Sequence, residues 1–323
     1  MAKHLWEVEP NIISRDLRGK YVMLYGKPKA GKTTAACAFP GAILFAFERG
    51  YNAIGNAYPY DITKWSEYKS AIRDLEDERT KQKFQTVIID TISIAWDLCE
   101  QYICAQNGTQ KIADIAWGAG YTATKKEFES CLRKITQLGY GVVLIAHSTS
   151  RIEKDADGNE REIISPELPK RGAEICNGIV DIIGYIGSEY ESDGTQVRYL
   201  YTRETPTLFA GSRFKYLAPK IKFGYQELVD AIAEAIEKSE KLDGATVVDH
   251  APIVSQEQKL DFTEVRTEAQ ELWKKLIEAD ENNATTILKK IEMIMGHKMK
   301  LSEFTEDQVD LLALVVDEMR DMV

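Results

Sequence analysis

Short, almost uninterrupted apolar runs recur along the first half of the chain, and each gives way to a stretch with helical character. Tyr21 to Tyr25, Ala42 to Phe47, Thr86 to Ile89 and Gly141 to Ala146 are such runs. Apolar, β-branched and aromatic residues in runs of this length, bounded by glycine or polar residues, predict strands buried on both faces. Between them, Thr33 to Ala38 is alanine-rich enough to begin a helix, and Lys64 to Lys83 is polar and helix-prone. Ile92 to Gln106 predicts another helix, followed by a glycine-containing loop (Asn107 to Tyr121) and a helix ending near Leu138. Strands alternating with helices predict an α/β core: a mainly parallel central sheet flanked by helices.

Past His147 the pattern changes. Ser148 to Arg171 is polar and reads as a long loop or loose hairpin, a length that in compact domains tends to be functional. Ile179 to Ile186, Val197 to Thr202 and Thr207 to Phe209 predict later strands, and Tyr225 to Lys238 an amphipathic helix. This places a core over residues 1–240. Residues 241–262, with Asp243-Gly244 and Pro252, read as a linker. Apolar residues then return at helical spacing near 263–279, 284–295 and 305–321, predicting a small helical C-terminal module over 263–323. Thr305 followed by Gln308 is a capping-box start for the last helix.

Charge changes this picture little. The 323 residues carry a net −10, but residues 256–323 hold 16 acidic against 9 basic side chains. The core is therefore nearly balanced and can present a local basic strip. No apolar run approaches the roughly 18 residues a membrane helix needs, so no membrane partner is expected. The first residues lack a signal-peptide layout, which predicts a cytoplasmic protein. Five scattered cysteines without a C-x-x-C pair argue against a zinc site or disulfide framework and predict reduced, buried thiols.

One motif carries chemistry. Gly26-Lys27-Pro28-Lys29-Ala30-Gly31-Lys32-Thr33-Thr34 fits the phosphate-loop pattern G-x-x-x-x-G-K-[ST], between a predicted strand and a predicted helix. Backbone N–H groups of such a loop point at an anion, and a following helix N-terminus favours it. Lys32 is expected to reach the β- and γ-phosphates of ATP, and the Thr33 hydroxyl to ligate Mg²⁺. Three more polar residues end predicted strands. Asp90 closes an apolar strand and is expected to help hold Mg²⁺ near Thr33. Glu48 follows the Ala42 to Phe47 run, where it can orient or deprotonate the water attacking the γ-phosphate. His147 ends the fourth strand and is placed to sense that phosphate.

This order of elements resembles the RecA-like ATPases: a phosphate loop, a Glu ending the next strand, an Asp ending Val-Ile-Ile-Asp-Thr, and a polar residue ending Val-Leu-Ile-Ala-His-Ser. The likeness covers roughly residues 15–235 and is greatest to phage-encoded nucleotide-binding proteins of that class, among them RecA-core single-strand annealing proteins. His147 stands where glutamine is common in recombinases. The resemblance implies a cytoplasmic, DNA-stimulated ATPase of a bacteriophage's host cell, acting in DNA recombination by strand annealing or exchange. It implies single-stranded DNA contacts in the loop after the fourth strand, from Arg151, Lys154, Lys170 and Arg171. A second DNA loop would fall at Asn107 to Tyr121, with Lys111, Trp117 and Tyr121, although core packing is the expected fate of Trp117. It also implies a homo-oligomer, ring or filament, with ATP between subunits and a basic finger donated in trans, for which Arg213 is the candidate. The acidic C-terminal module has no counterpart in that likeness and is expected to meet a single-strand-binding or replication protein. The rival readings are an ATP-switched loader or adaptor working through that module, and a ring helicase motor.

Overall fold

Consecutive residues of the central strands enter two different apolar cores, which is why their sequence runs are apolar throughout. Met23 and Tyr25 pack in one cluster, and Val22 and Leu24 in the other. Leu144 and Ala146 likewise part from Val143 and Ile145. The computed structural model describes residues 10–154, 158–250 and 261–322. The chain divides into two compact units, residues 1–254 and 255–323.

In the first unit, β1 (Ile12–Ser14) precedes β2 (Tyr21–Gly26), the phosphate-loop motif and α1 (Lys32–Ala36). Then come β3 (Ala42–Ala46), β4 (Pro59–Asp61), α2 (Trp65–Asp74), α3 (Glu78–Lys83) and β5 (Thr86–Asp90). α4 (Ile92–Gln106), α5 (Ala119–Gln137), β6 (Gly141–Lys154), β7 (Glu160–Pro166) and α6 (Lys170–Ile179) follow. The unit ends with β8 (Ile182–Tyr190), β9 (Gln196–Tyr201), β10 (Gly211–Ser212), β11 (Lys220–Lys222), α7 (Tyr225–Asp243) and β12 (Thr246–Val248). The main sheet has the order β11-β9-β8-β2-β6-β5-β3-β4, with β10 attached to β8 and β7 to β6. Strands β8, β2, β6, β5, β3 and β4 run parallel. β9, β10, β11 and β7 pair antiparallel to their neighbours. One face is covered by α2, α4, α5 and α6, through Trp65, Trp96, Phe128 and Cys176; the other by α1 and α7, through Ala36, Leu228 and Ile232.

The mainly parallel sheet between helices is the expected architecture. Several boundaries differ. Lys64 to Lys83 is two helices, because Asp77 caps a new one by accepting from the Arg79 N–H at 2.8 Å. Of the two forms expected for Ser148 to Arg171, a long loop or a hairpin, the structure has the hairpin, followed by the start of a helix. β6 continues past the sheet and pairs with β7 from Ser148↔Pro166 to Lys154↔Glu160, and Lys170 and Arg171 open α6. Residues 179–181 precede β8 instead of starting it, and Thr207 to Phe209 forms only isolated bridging. The expected linker over 241–262 is partly structured: α7 reaches Asp243, and β12 pairs in parallel with β1. Its remainder, residues 251–260, lies outside the described residues.

The second unit holds α8 (Phe262–Ala279), α9 (Asn283–Met295) and α10 (Val309–Arg320) around its own core of Ala269, Ile287, Ile291, Leu312 and Met319. The last helix begins later than expected, because residues 306–308 form a tight 3₁₀ turn capped by Thr305 and Gln308. All five cysteines are free thiols, and four are buried. Among the described residues no helix is long and apolar enough to cross a membrane.

Leu144 is fully buried in the middle of the sheet. Leu144→Ala is expected to cost about 2–5 kcal/mol, the range for a large-to-small change at a site that cannot collapse. Urea unfolding followed by circular dichroism checks this, and a loss below about 1 kcal/mol would contradict the packing described here.

Candidate functional site

Because β2, β3, β5 and β6 are parallel, their C-terminal ends share one edge of the sheet. Gly26, the last residue of β2, sits directly opposite His147 of β6, and Asp90 opposite Ile145. Ala46, two residues before Glu48, is opposite Asp90. Register alone thus brings the phosphate loop, Glu48, Asp90 and His147 together.

The loop itself needs its glycines. Gly26 has φ 159°, and a Cβ there would come 2.8 Å from the Ile186 carbonyl oxygen of the neighbouring strand. Gly31 has φ 88°, a left-handed conformation that side chains with a Cβ adopt at a cost. Lys29 adopts φ 64° without being glycine. Non-glycine residues in that region concentrate at ligand-binding loops. Lys32 is buried, and its ammonium donates to the Gly26 and Lys27 carbonyls at 3.0 and 2.9 Å, which keeps it inside the loop. Burial lowers its pKa, an effect that nearby Asp90 and Glu48 oppose.

Thr33 donates its hydroxyl hydrogen to Asp90 Oδ2 at 2.6 Å. Asp90 is 2% exposed, and burial raises its pKa despite the Thr33 hydrogen bond and the Lys32 charge; the Glu48 charge pushes the same way as burial. The Asp90–Thr91 peptide is cis. The Asp90 carbonyl oxygen accepts from the N–H groups of both Phe47 and Glu48, at 2.8 and 3.2 Å, which fixes Glu48 at the strand edge. Glu48 Oε1 lies 3.6 Å from His147 Nε2. His147 Nδ1 is buried and makes no hydrogen bond among the described residues.

The oxygens of Thr33 and Asp90 are hard donors on converging side chains. Two such oxygens suit Mg²⁺, which takes one or two protein ligands and completes its shell with phosphate and water.

The other expected site residues lie elsewhere. β6 leaves the sheet at His147 and becomes the β6–β7 ribbon, which carries Arg151 and Lys154. The Arg151 guanidinium lies over the Phe209 ring at 5.6 Å, and Lys154 pairs with Glu160 at 4.0 Å. At the ribbon's base, the Ile164 N–H donates to the Thr207 carbonyl and the Ile164 carbonyl accepts from the Phe209 N–H, both at 2.9 Å. Lys170 is exposed on α6, and the Arg171 guanidinium stacks 3.9 Å above Tyr121 at the start of α5. Trp117 corrects the expectation of core packing. It is fully exposed, because a left-handed backbone (φ 58°) followed by Gly118 turns it away from the core. Arg213 stands at the opposite edge of the sheet, where its N–H and guanidinium bind Asp181, itself bonded to the Tyr21 N–H at the start of β2. It also donates to the Gly178 carbonyl that closes α6. A finger role would have to break these bonds. Arg198 of β9 also comes to the phosphate loop, its Nη1 3.3 Å from where a Cβ on Gly31 would lie, and it is not among the residues the sequence points to. No motif marks it, since it arrives from a strand distant in sequence.

Residues 18–214 match the family model described as an AAA domain. The chain is also 26% identical over 339 aligned residues to the SPbeta prophage-derived uncharacterized protein YorG of Bacillus subtilis (strain 168), an alignment spanning 100% of this chain and 99% of that one.

Raising the Asp90 pKa means that the folded chain binds this proton more readily than the unfolded chain does. The stability tied to this group therefore falls as pH rises through the raised pKa. Asp90→Asn keeps an acceptor for Thr33 without the charge. In Mg²⁺- and nucleotide-free buffer it is expected to raise Tm at neutral pH, with the gain vanishing as pH drops below the carboxylate range. Thermal melts across pH check this, and a lower Tm at neutral pH would contradict it.

Proposed function

This chain belongs to the AAA-domain family, and from that premise we propose that it is a Mg²⁺-dependent, RecA-like ATPase that acts on single-stranded DNA in phage recombination. One observation carries the reading. His147, against the catalytic edge, and the ribbon bearing Arg151 and Lys154 belong to one uninterrupted strand. Nucleotide state and a cationic arm then share a single rigid element.

In this reading the loop N–H groups and Lys32 bind the phosphates of ATP. Thr33 and Asp90 would hold Mg²⁺, which when bound neutralises charge on the β- and γ-phosphate oxygens. Glu48 accepts a proton from the attacking water. The water oxygen bonds to the γ-phosphorus as the bond to the β–γ bridging oxygen breaks, leaving ADP and phosphate. His147, 3.6 Å from Glu48, responds to the change and passes it along β6. Arg151, Lys154, Lys170 and Arg171 would meet DNA phosphates, and Tyr121 and the exposed Trp117 offer faces for base stacking. Oligomerisation with ATP between subunits is part of this proposal, as is a place in the cytoplasm of a host cell.

A second reading has its own support. The C-terminal unit exposes Met293 and Leu314 on α9 and α10, which favours a protein partner there and an ATP-switched adaptor role.

Steady-state ATPase rates with and without single-stranded DNA separate the two readings. DNA is expected to raise the rate, Lys32→Ala to abolish it, and Glu48→Gln to lower kcat by about 10²–10⁴. Arg171→Ala is expected to weaken DNA binding and reduce the log–log salt slope by about 1. A rate indifferent to DNA would favour the adaptor.

A further inference from the structure

The side of the phosphate loop turned toward β8 and β9 carries a cation that no motif marks. Arg198 is paired with Ser188 of β8, and Ser188 lies two residues past Ile186, the partner of Gly26. Leu200, two residues on from Arg198, packs with Ala36 and Leu228 in the cluster beneath α1 and α7. Residues two apart on a strand share a face. Arg198 therefore rises on the α1 side, one step beyond the strand edge from which the phosphate loop springs.

The geometry is close. A Cβ placed on Gly31 would lie 3.3 Å from Arg198 Nη1 and 3.5 Å from Phe223 Cε1. Phe223 follows β11, and its N–H donates to the Arg198 carbonyl at 2.9 Å, so the backbone beneath the guanidinium is fixed. Two nearby cations are occupied: Lys32 is held by loop carbonyls, and Lys220 by Glu189 at 2.6 Å. Arg198 is exposed, and no carboxylate among the described residues forms an ion pair with it. A planar, permanently charged fork beside a ring of backbone N–H groups matches the nonbridging oxygens of a diphosphate.

We propose that Arg198 is a phosphate ligand supplied by the same chain, binding the α- and β-phosphates of the nucleotide from the side opposite Thr33 and Asp90. This rests on the nucleotide reading of the loop and adds a contact to it. Because ADP and ATP share those two phosphates, Arg198 serves affinity for both and is not a reporter of the γ-phosphate. Because it acts within one chain, its effect does not require assembly. Gly31 then has a second reason to lack a side chain: a Cβ would crowd the guanidinium against the loop.

The test is calorimetric binding of ADP, and separately of inorganic tripolyphosphate, to the full chain at fixed salt. The proteins are wild type, Arg198→Ala, Arg198→Lys and Lys32→Ala, at concentrations where the chain is monomeric. Arg198→Ala is expected to weaken both ligands by about tenfold to a hundredfold, the scale of a lost charge-assisted contact. Arg198→Lys should recover only part of that loss. Thermal melts of the ligand-free variants should match wild type, since the side chain is exposed. Wild-type binding that Arg198→Ala leaves unchanged overturns the assignment while the nucleotide site stands. A loss seen for ADP but absent for tripolyphosphate also overturns it, because the contact would then be to the nucleoside. Wild type failing to bind ADP overturns the nucleotide reading and this inference together.

Discussion

The pairing of Gly26 with His147 fixes the geometry of everything at this edge. β6 lies between the strand that leads into the phosphate loop and the strand that ends at Asp90. One interposed strand sets the spacing between loop and acid. The Thr33 hydroxyl closes that gap at 2.6 Å from Asp90. A one-residue slip of β6 would turn His147 to the other face of the sheet and exchange the residues of the two cores. The geometry of this site and the packing of the cores are therefore specified by the same register.

Burial gives the site its electrostatic character. Lys32 and Asp90 are both nearly removed from water, and each has its charged form disfavoured by that removal. What keeps them in place is local: two loop carbonyls for the ammonium, one hydroxyl for the carboxylate. Such an arrangement lowers the stability of the free protein and is relieved when opposite charge enters. Strain of this kind is tolerated where the surrounding fold over-determines it. Here the over-determination comes from strands buried on both faces.

The ribbon beyond His147 extends a core strand into solvent without a hinge. Its cations are not loose. Arg151 leans on Phe209, Lys154 on Glu160, and Arg171 on Tyr121 from a separate helix. A cation stacked on a ring keeps its charge while losing rotamer freedom.

Local patterns in the sequence determined a good deal. The apolar runs located β2, β3, β5 and β6, and the phosphate-loop motif located Lys32 and Thr33, because both signals lie within a few consecutive residues. Glu48, Asp90 and His147 were legible as strand-ending polar residues, for parallel strands must end on one edge. Tertiary structure alone decided the rest. Nothing local announces that β6 outruns its sheet, that residues 246–248 return to pair with β1, or that Trp117 faces solvent. Arg213 and Arg198 make the point most sharply. Arg213 follows a predicted strand and Arg198 lies within one, yet the first is bound to Asp181 at the far edge and the second stands beside Gly31. Which arginine meets the phosphate loop is set by strand order and register between segments far apart in sequence, and those follow from how the whole sheet packs.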